Sequence, residues 1–179
     1  MSITDDILKI SMSEDEIKSI VERIGKELNN DYLDKDPLFI GVLKGAIPFM
    51  TDLMKQINIK STLDYIKVSS YSGTKSTGNI TIKGDMPNVK DRHVIVVEDI
   101  LDTGKTLLEL KKLLISSGAL SVKLCVLLDK PEGRKYDISA DYVGGKVPNE
   151  FVVGYGLDYN ERYRNLPYIG VLKEEVYKK

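Results

Sequence analysis

The sequence predicts an α/β fold built on a central, mainly parallel sheet flanked by helices. Three observations predict it. Apolar runs at Leu38–Leu43, Val94–Val97 and Val122–Leu128, the last broken only by Lys123, suit strands buried on both faces, which is the condition of a parallel sheet. Stretches with apolar residues at helical spacing alternate with them. Each run also stops abruptly at polar residues, at Lys44-Gly45, Glu98-Asp99 and Asp129-Lys130. In an open α/β sheet the crevice beyond the carboxyl ends of the strands is where ligands bind.

Length and composition set the bounds. The 179 residues suit one domain, 1–179, and 42% hydrophobic content is enough for a substantial core. With 26 basic and 27 acidic residues the net charge is -1, which offers no general attraction to nucleic acid or to an anionic membrane. The sequence holds no run of 18 apolar residues, and Met1–Ile10, with Asp5 and Asp6, does not read as a basic and then apolar leader, so the expected location is the cytoplasm. The single Cys125 excludes an intramolecular disulfide, and with one histidine, His93, there is no cluster for zinc. Any metal is therefore expected to be hard and oxygen-bound, which means Mg²⁺.

Ser13–Glu16 reads as a capping box opening a helix whose Ile17, Ile20, Val21, Ile24 and Leu28 share one face, with Asn29-Asn30 ending it. Leu38–Leu43 is the first buried strand. A second helix begins after Lys44-Gly45-Ala46, with Pro48 tolerated in its first turn and Phe49, Met50, Leu53 and Met54 facing the core. Thr62–Val68 is a strand by composition. The small polar residues Ser69–Thr81 then form a loop expected to be mobile, either a lid or a slack hairpin connection, with Ile80 and Ile82 as its return strand.

Gly84–Asp91 is a turn region leading to the central strand. After Thr106 the residues Leu107, Leu108, Leu110, Leu113 and Leu114 make an amphipathic helix closed by Ser117-Gly118. Within Val122–Leu128, Cys125 reads as a small core residue, and His93, at the strand's entry, as structural or solvated. Asp129–Arg134 is a polar turn. Short strands follow at Asp141–Gly144 and Phe151–Gly154, then a charged loop with Asp158, Arg162 and Arg164, and a last strand, Tyr168–Leu172. The two chain ends are expected to form a small hood.

Chemistry concentrates in His93–Leu107. Glu98 and Asp99 are expected where the strand leaves the sheet, and Asp102-Thr103-Gly104-Lys105-Thr106 turns into a helix, so free N–H groups and hydroxyls gather at a helix N-terminus and favour an anion. Three carboxylates beside a phosphate cradle imply a ligand with a phosphate and, a sugar's width away, hydroxyls that donate to carboxylates. A phosphorylated ribose fits. Gly104-Lys105-Thr106 matches the end of a nucleotide-binding P-loop, but Asp99 stands where that motif's first glycine must be. An acidic helix cap with no ligand is the remaining alternative.

Val96–Thr106, together with Leu43-Lys44-Gly45, Ser70-Tyr71 and Phe151–Asn160 in the same order, resembles the hypoxanthine-guanine phosphoribosyltransferase family over nearly the whole chain. The resemblance implies the type I phosphoribosyltransferase fold, with a hood and a flexible active-site loop. It also implies transfer of ribose 5-phosphate from phosphoribosyl pyrophosphate to N9 of a 6-oxopurine, with Mg²⁺, by a homodimer or homotetramer.

Particular residues take on roles by that resemblance. Glu98 and Asp99 would serve the ribose hydroxyls and, with Asp158, the metal. Thr103, Gly104, Lys105 and Thr106 would hold the 5-phosphate, while Asp102 would accept a proton at purine N7. Lys44, Gly45 and Arg164 would bind pyrophosphate under a lid carrying Ser70 and Tyr71. Lys130 would donate to purine O6, Phe151 would stack on the base, and the Val152 backbone would read its edge. Ala46 and Leu101 depart from the family pattern without removing a polar role. A rival on the same fold is a phosphoribosyl pyrophosphate sensor that binds nucleic acid. Against it stand the balanced charge and the presence of Asp102, Lys130 and Asp158.

Overall fold

A computed structural model of the chain describes residues 2–70 and 80–178. Its central sheet has six strands in the order β4-β3-β2-β5-β6-β7, with β2 Leu38–Leu43, β3 Thr62–Ser70, β4 Ile80–Lys83, β5 His93–Leu101, β6 Ser121–Asp129 and β7 Tyr142–Lys146. Every neighbouring pair is parallel except β3–β4. The consecutive apolar residues of β5 divide by the period of two. Ile95 and Val97 enter one core with Cys125 and Leu127, while Val94 and Val96 enter the other with Leu124 and Val126. Both faces are therefore covered, as the unbroken β-branched run requires.

Helices α1 (Glu14–Asp31) and α2 (Ile47–Gln56) cover the first face through Ile17, Val21, Ile24, Leu28, Phe49, Met50 and Leu53. Helix α3 (Lys105–Ser116) covers the second through Leu107, Leu110 and Leu114. The Ser13 capping box forms as expected. Asn29-Asn30 does not end α1, which runs on to Asp31. The Asn29 side chain instead donates to the Gln56 carbonyl at 2.8 Å and accepts from the Asn58 N–H at 2.9 Å, so it ties α1 to the end of α2. Cys125 is buried in the first core, and burial pushes its thiol pKa up, away from reactivity.

The hood is a three-stranded antiparallel sheet in the order β1-β9-β8, formed by β1 Ile7–Met12, β8 Val152–Val153 and β9 Ile169–Leu172, and followed by the short helix α4, Glu174–Tyr177. It does come from the two chain ends. Strand β1 escapes a sequence reading because Ile7-Leu-Lys-Ile-Ser-Met12 lacks regular alternation, and its Leu8 and Ile10 are exposed.

Two further expectations are corrected. Strand β5 does not leave the sheet at Glu98. Its pairing with β2 ends at Gly41↔Val97, but β6 is equally long and holds it to Leu101↔Asp129, so both carboxylates lie within the strand. The Ser69–Thr81 segment is not all loop, because Ser69 and Ser70 pair with Thr81 and Ile80. The rest of the expected lid, Tyr71 included, lies outside the described residues.

Because Ile95 is fully buried between β-strands and helices, Ile95→Ala should destabilise the fold by about 2–5 kcal/mol. Urea denaturation followed by circular dichroism measures it.

Candidate active site

The polar ends of β2, β5 and β6 meet the hood segment 150–164 in one place. Beyond Leu101 the chain turns through Asp102 and Thr103 to Gly104, whose φ of 89° is a left-handed conformation that glycine adopts without strain. A β-carbon there would also fall 2.5 Å from Ile138 Cγ2. Gly104 is the N-cap of α3 and supplies no side-chain cap, so the helix's first-turn N–H groups lack a side-chain acceptor. Beside them is a cavity of about 170 Å³ lined by Glu98, Asp99, Asp102, Thr103, Gly104 and Thr106, among others. Free N–H groups at a helix start beside a cavity are the geometry of an anion site.

Asp99 is 9% exposed and Glu98 half-buried. The Asp99 N–H donates to Glu98 Oε1 at 3.1 Å, and the Ile100 N–H donates to Asp99 Oδ1 at 2.7 Å. Burial raises both carboxyl pKa values, Glu98's well above its ordinary 4.5, with the charge of Asp99 adding to the effect. Opposing this at Asp99 are its hydrogen bonds with the Glu98 carboxyl and the Ile100 N–H, and then the nearby guanidinium of Arg164. The end of β2 comes up against Asp99 directly. A β-carbon on Gly45 would fall 1.8 Å from Asp99 Oδ2, so only glycine allows this approach. The Leu43–Lys44 peptide bond is cis.

The cations gather on the hood side. Lys44 Nζ lies 2.7 Å from Glu161 Oε2, and the Arg164 guanidinium reaches Asp158 Oδ1 at 2.8 Å, Glu161 Oε1 at 3.4 Å and the Gly156 carbonyl at 2.7 Å. The Lys44 ammonium, with Arg164 behind it, holds the Glu161 carboxyl below its usual range. Arg164 Nε is buried without an acceptor among the described residues.

On the other flank a β-carbon on Gly133 would fall 1.9 Å from Asp102 Oδ1 and 3.7 Å from Lys130 Cδ, which brings Asp102 and Lys130 to one spot. Lys130 Nζ donates to the Glu150 carbonyl at 3.4 Å, beside Phe151. The Phe151 ring is stacked on Tyr177 of α4 at 4.9 Å between centroids and meets the edge of Tyr159 at 5.6 Å, yet the residue keeps 37% of its surface exposed. Val152 is buried, with its backbone in β8.

The structure thus places Glu98, Asp99, Asp102, Thr103, Gly104 and Thr106 on one cavity, brings Gly45 against Asp99 and Lys130 beside Asp102, and leaves Lys44, Asp158 and Arg164 in ion pairs on the hood side, with Phe151 and Val152 in the hood. Lys105 opens α3 and is half-exposed. Ser70 ends β3, and Tyr71 lies outside the described residues. Sequence reasoning missed Glu161, Arg134 and Tyr177, all of which touch the site or its frame. For Glu161 a signal existed, since it stands beside Arg162 and three residues before Arg164 in the same charged loop.

Among the described residues no three carboxylate, histidine or cysteine side chains form a ready metal cluster. Asp158 also already spends Oδ1 on Arg164 and Oδ2 on the Glu161 N–H. The all-oxygen set at Glu98, Asp99 and Asp158 fits a Mg²⁺ that keeps most of its shell as waters and substrate oxygens, and does not fit an all-protein cage.

Comparison with known proteins gives a consistent result. The pattern of the phosphoribosyl transferase domain matches residues 12–160. A hypoxanthine-guanine phosphoribosyltransferase of Streptococcus pneumoniae is 54% identical over 177 residues, which is 98% of each chain. One from Streptococcus thermophilus is 52% identical over 176 residues, 97% of this chain and 98% of that one. Among solved structures, a hypoxanthine phosphoribosyltransferase from Staphylococcus aureus superposes with a TM-score of 0.94 at 46% identity, covering 99% of this chain and 97% of that chain.

The buried carboxylate pair has a consequence for stability. With folded-state pKa values above the unfolded ones, the native state holds more protons, so its stability falls as pH rises through and above the ordinary carboxylate range. Glu98→Gln removes that liability. It should raise the melting temperature by about 2–4 °C near pH 8 and by less near pH 5, as read by calorimetry of the protein without ligand.

Proposed function

We propose that this chain, which belongs to the phosphoribosyl transferase family, transfers ribose 5-phosphate from phosphoribosyl pyrophosphate to N9 of hypoxanthine or guanine, releasing pyrophosphate. The observation that carries the reading is the division of one turn. Glu98 and Asp99 stand below it, free N–H groups and hydroxyls line it, and the Asp102 carboxylate lies against Gly133, which also neighbours the Lys130 side chain. A sugar, a phosphate and a base each find matching groups in that order.

The 5-phosphate would rest on the N–H groups at the start of α3 and on the Thr103 and Thr106 hydroxyls. Glu98 and Asp99 would accept hydrogen bonds from the ribose hydroxyls, and their charge would favour positive character developing at the anomeric carbon. As the bond from that carbon to pyrophosphate breaks and the bond to N9 forms, the base must lose its imidazole proton, and Asp102 would accept it at N7. Lys130 would donate to O6, which adenine's amino group cannot accept, with Phe151 as the stacking surface and the Val152 backbone at the base edge.

Lys44, the Gly45 backbone and Arg164 would hold pyrophosphate, exchanging their present carboxylate partners for it. Ser70 and Tyr71 would cover it and keep water from the reacting centre. Glu98, Asp99 and Asp158 are the residues that would hold Mg²⁺, which when bound supplies positive charge to the departing pyrophosphate.

A cytoplasmic salvage enzyme assembled as a homodimer or homotetramer is the matching biological reading. In support, no described helix is long and apolar enough to cross a membrane. The sensor alternative gains nothing from the relatives, which are named as enzymes.

Mixing protein, Mg²⁺, phosphoribosyl pyrophosphate and one base at a time should give nucleotide with hypoxanthine and guanine and none with adenine. No product with any 6-oxopurine would overturn the proposal. Asp102→Asn should lower kcat by about 10²–10⁴ while phosphoribosyl pyrophosphate binding, measured by calorimetry, stays within about twofold. Equal loss of both would refute the separate role given to Asp102.

A further inference from the structure

Beside the cleft stands Arg134, a cation with no role in the proposed reaction so far, which follows the short 3₁₀ turn Pro131–Gly133 after β6. Its guanidinium does not point into the cleft. Nε donates to the Asp102 carbonyl at 2.9 Å, Nη1 to the Ile138 carbonyl at 2.6 Å, and Nη2 to the Asp129 carboxylate and, at 3.1 Å, to the Leu101 carbonyl, which also accepts from the Lys130 N–H at 3.0 Å. The side chain is 18% exposed, and its Cδ lies 3.1 Å from where a β-carbon of Gly104 would sit. The same loop takes the next carbonyl as well, because the Lys135 and Tyr136 N–H groups donate to Thr103 O at 3.0 and 3.2 Å. Three successive carbonyls, at residues 101, 102 and 103, are thus drawn toward the loop after β6.

A trans peptide is planar, so its C=O and the N–H of the next residue point in opposite directions. Carbonyls 101–103 turned toward Arg134 and its loop fix the N–H groups of Asp102, Thr103 and Gly104 toward the other side. Among the described residues, none of those three N–H groups has a backbone acceptor. Successive unpaired N–H groups in a turn that includes a left-handed residue form an anion-binding concavity, here continuous with the start of α3.

We propose that Arg134 is a positioning residue for the reaction, acting through the cradle peptides. Its planar fork holds the Asp102 carbonyl and shares that of Leu101 with the Lys130 N–H, so that, with the Lys135 and Tyr136 N–H groups on the Thr103 carbonyl, the N–H groups of Asp102–Gly104 face the 5-phosphate. This rests on the phosphoribosyl transfer reading only for the identity of the anion. Asp129 offsets the charge of the guanidinium, so the effect is one of geometry more than of attraction at a distance. Lysine, a single ammonium with no fork, cannot replace it.

Arg134→Lys and Arg134→Ala are compared with wild type in steady-state kinetics, thermal melting and phosphate titration. Both variants should raise KM for phosphoribosyl pyrophosphate by about tenfold, the loss expected when charge-assisted contacts to an anion are misaligned, with KM for hypoxanthine within about twofold. Asp129→Asn, which loosens the guanidinium but leaves it present, should shift the same KM in the same direction by about threefold, and it serves as the test if the Arg134 variants fail to fold. Titration of wild type with inorganic phosphate should move the Gly104 amide resonance, and in Arg134→Lys about tenfold more phosphate should be needed.

Full rescue by lysine would overturn the proposal, as would both KM values rising together or a lower melting temperature with phosphoribosyl pyrophosphate KM unchanged. Absence of turnover by wild type would sink the phosphoribosyl transfer reading alone. The phosphate titration would still decide the role of Arg134.

Discussion

Strand β5 loses β2 as a neighbour after Val97 but keeps β6 as far as Leu101↔Asp129. The site depends on this asymmetry. A strand released by both neighbours at Val97 would carry Glu98 and Asp99 into solvent, where their pKa values would be ordinary and their positions unfixed. Held on one edge, the strand still presents the carboxylates from a rigid ladder, while the opening on the other edge admits the end of β2, where Gly45 meets Asp99 with no room for a side chain. Apolar residues of β5 buried in two cores keep the ladder from slipping, since a shift by one residue would exchange its two faces.

Electrostatics follow from that placement. Two adjacent buried carboxylates are costly, and the cations that could relieve them stand one layer away, on Lys44 and Arg164, occupied by Glu161 and Asp158. Such exposed or half-exposed ion pairs stabilise the fold little. The arrangement is instead that of a site whose charges are provisionally matched and can be rearranged around an anion. In that sense Asp158 and Glu161 keep the cationic side chains aimed at the cleft without closing it.

Much of this was legible from residues. The run of β-branched residues fixed the central strand, the small polar turn after it marked the helix start beside the cavity, and the abrupt polar stops at Lys44 and Lys130 marked its two flanks. What could not be read has physical reasons. The length of β5 is set by β6, so no local signal distinguishes Glu98 as the end of a strand from Glu98 inside one. Arg134 looks like an ordinary polar turn residue, because its acceptors are backbone carbonyls and any sequence supplies those. Stacking of Tyr177 on Phe151 joins the chain's last helix to β8 across a hood whose first strand, with exposed Leu8 and Ile10, has no clear alternation. Contacts of long sequence separation between aromatic rings leave no periodic trace.

Asp102 shows why one short turn can serve several parts of a substrate. Its carboxylate lies against Gly133 near Lys130, its carbonyl is held by Arg134, and its N–H belongs to the peptide whose carbonyl, at Leu101, is also held by Arg134. Side chain and main chain therefore face different neighbours, and each direction is fixed by the loop after β6. That loop also carries Lys130, whose ammonium bonds the Glu150 carbonyl beside Phe151. A displacement of the loop would move Lys130, the Asp102 carboxylate and the N–H groups of residues 102–104 together. The spacing between Lys130 and the N–H groups of the turn is thus set by two adjacent, parallel strands of equal reach, and the loops borrow their precision from the sheet.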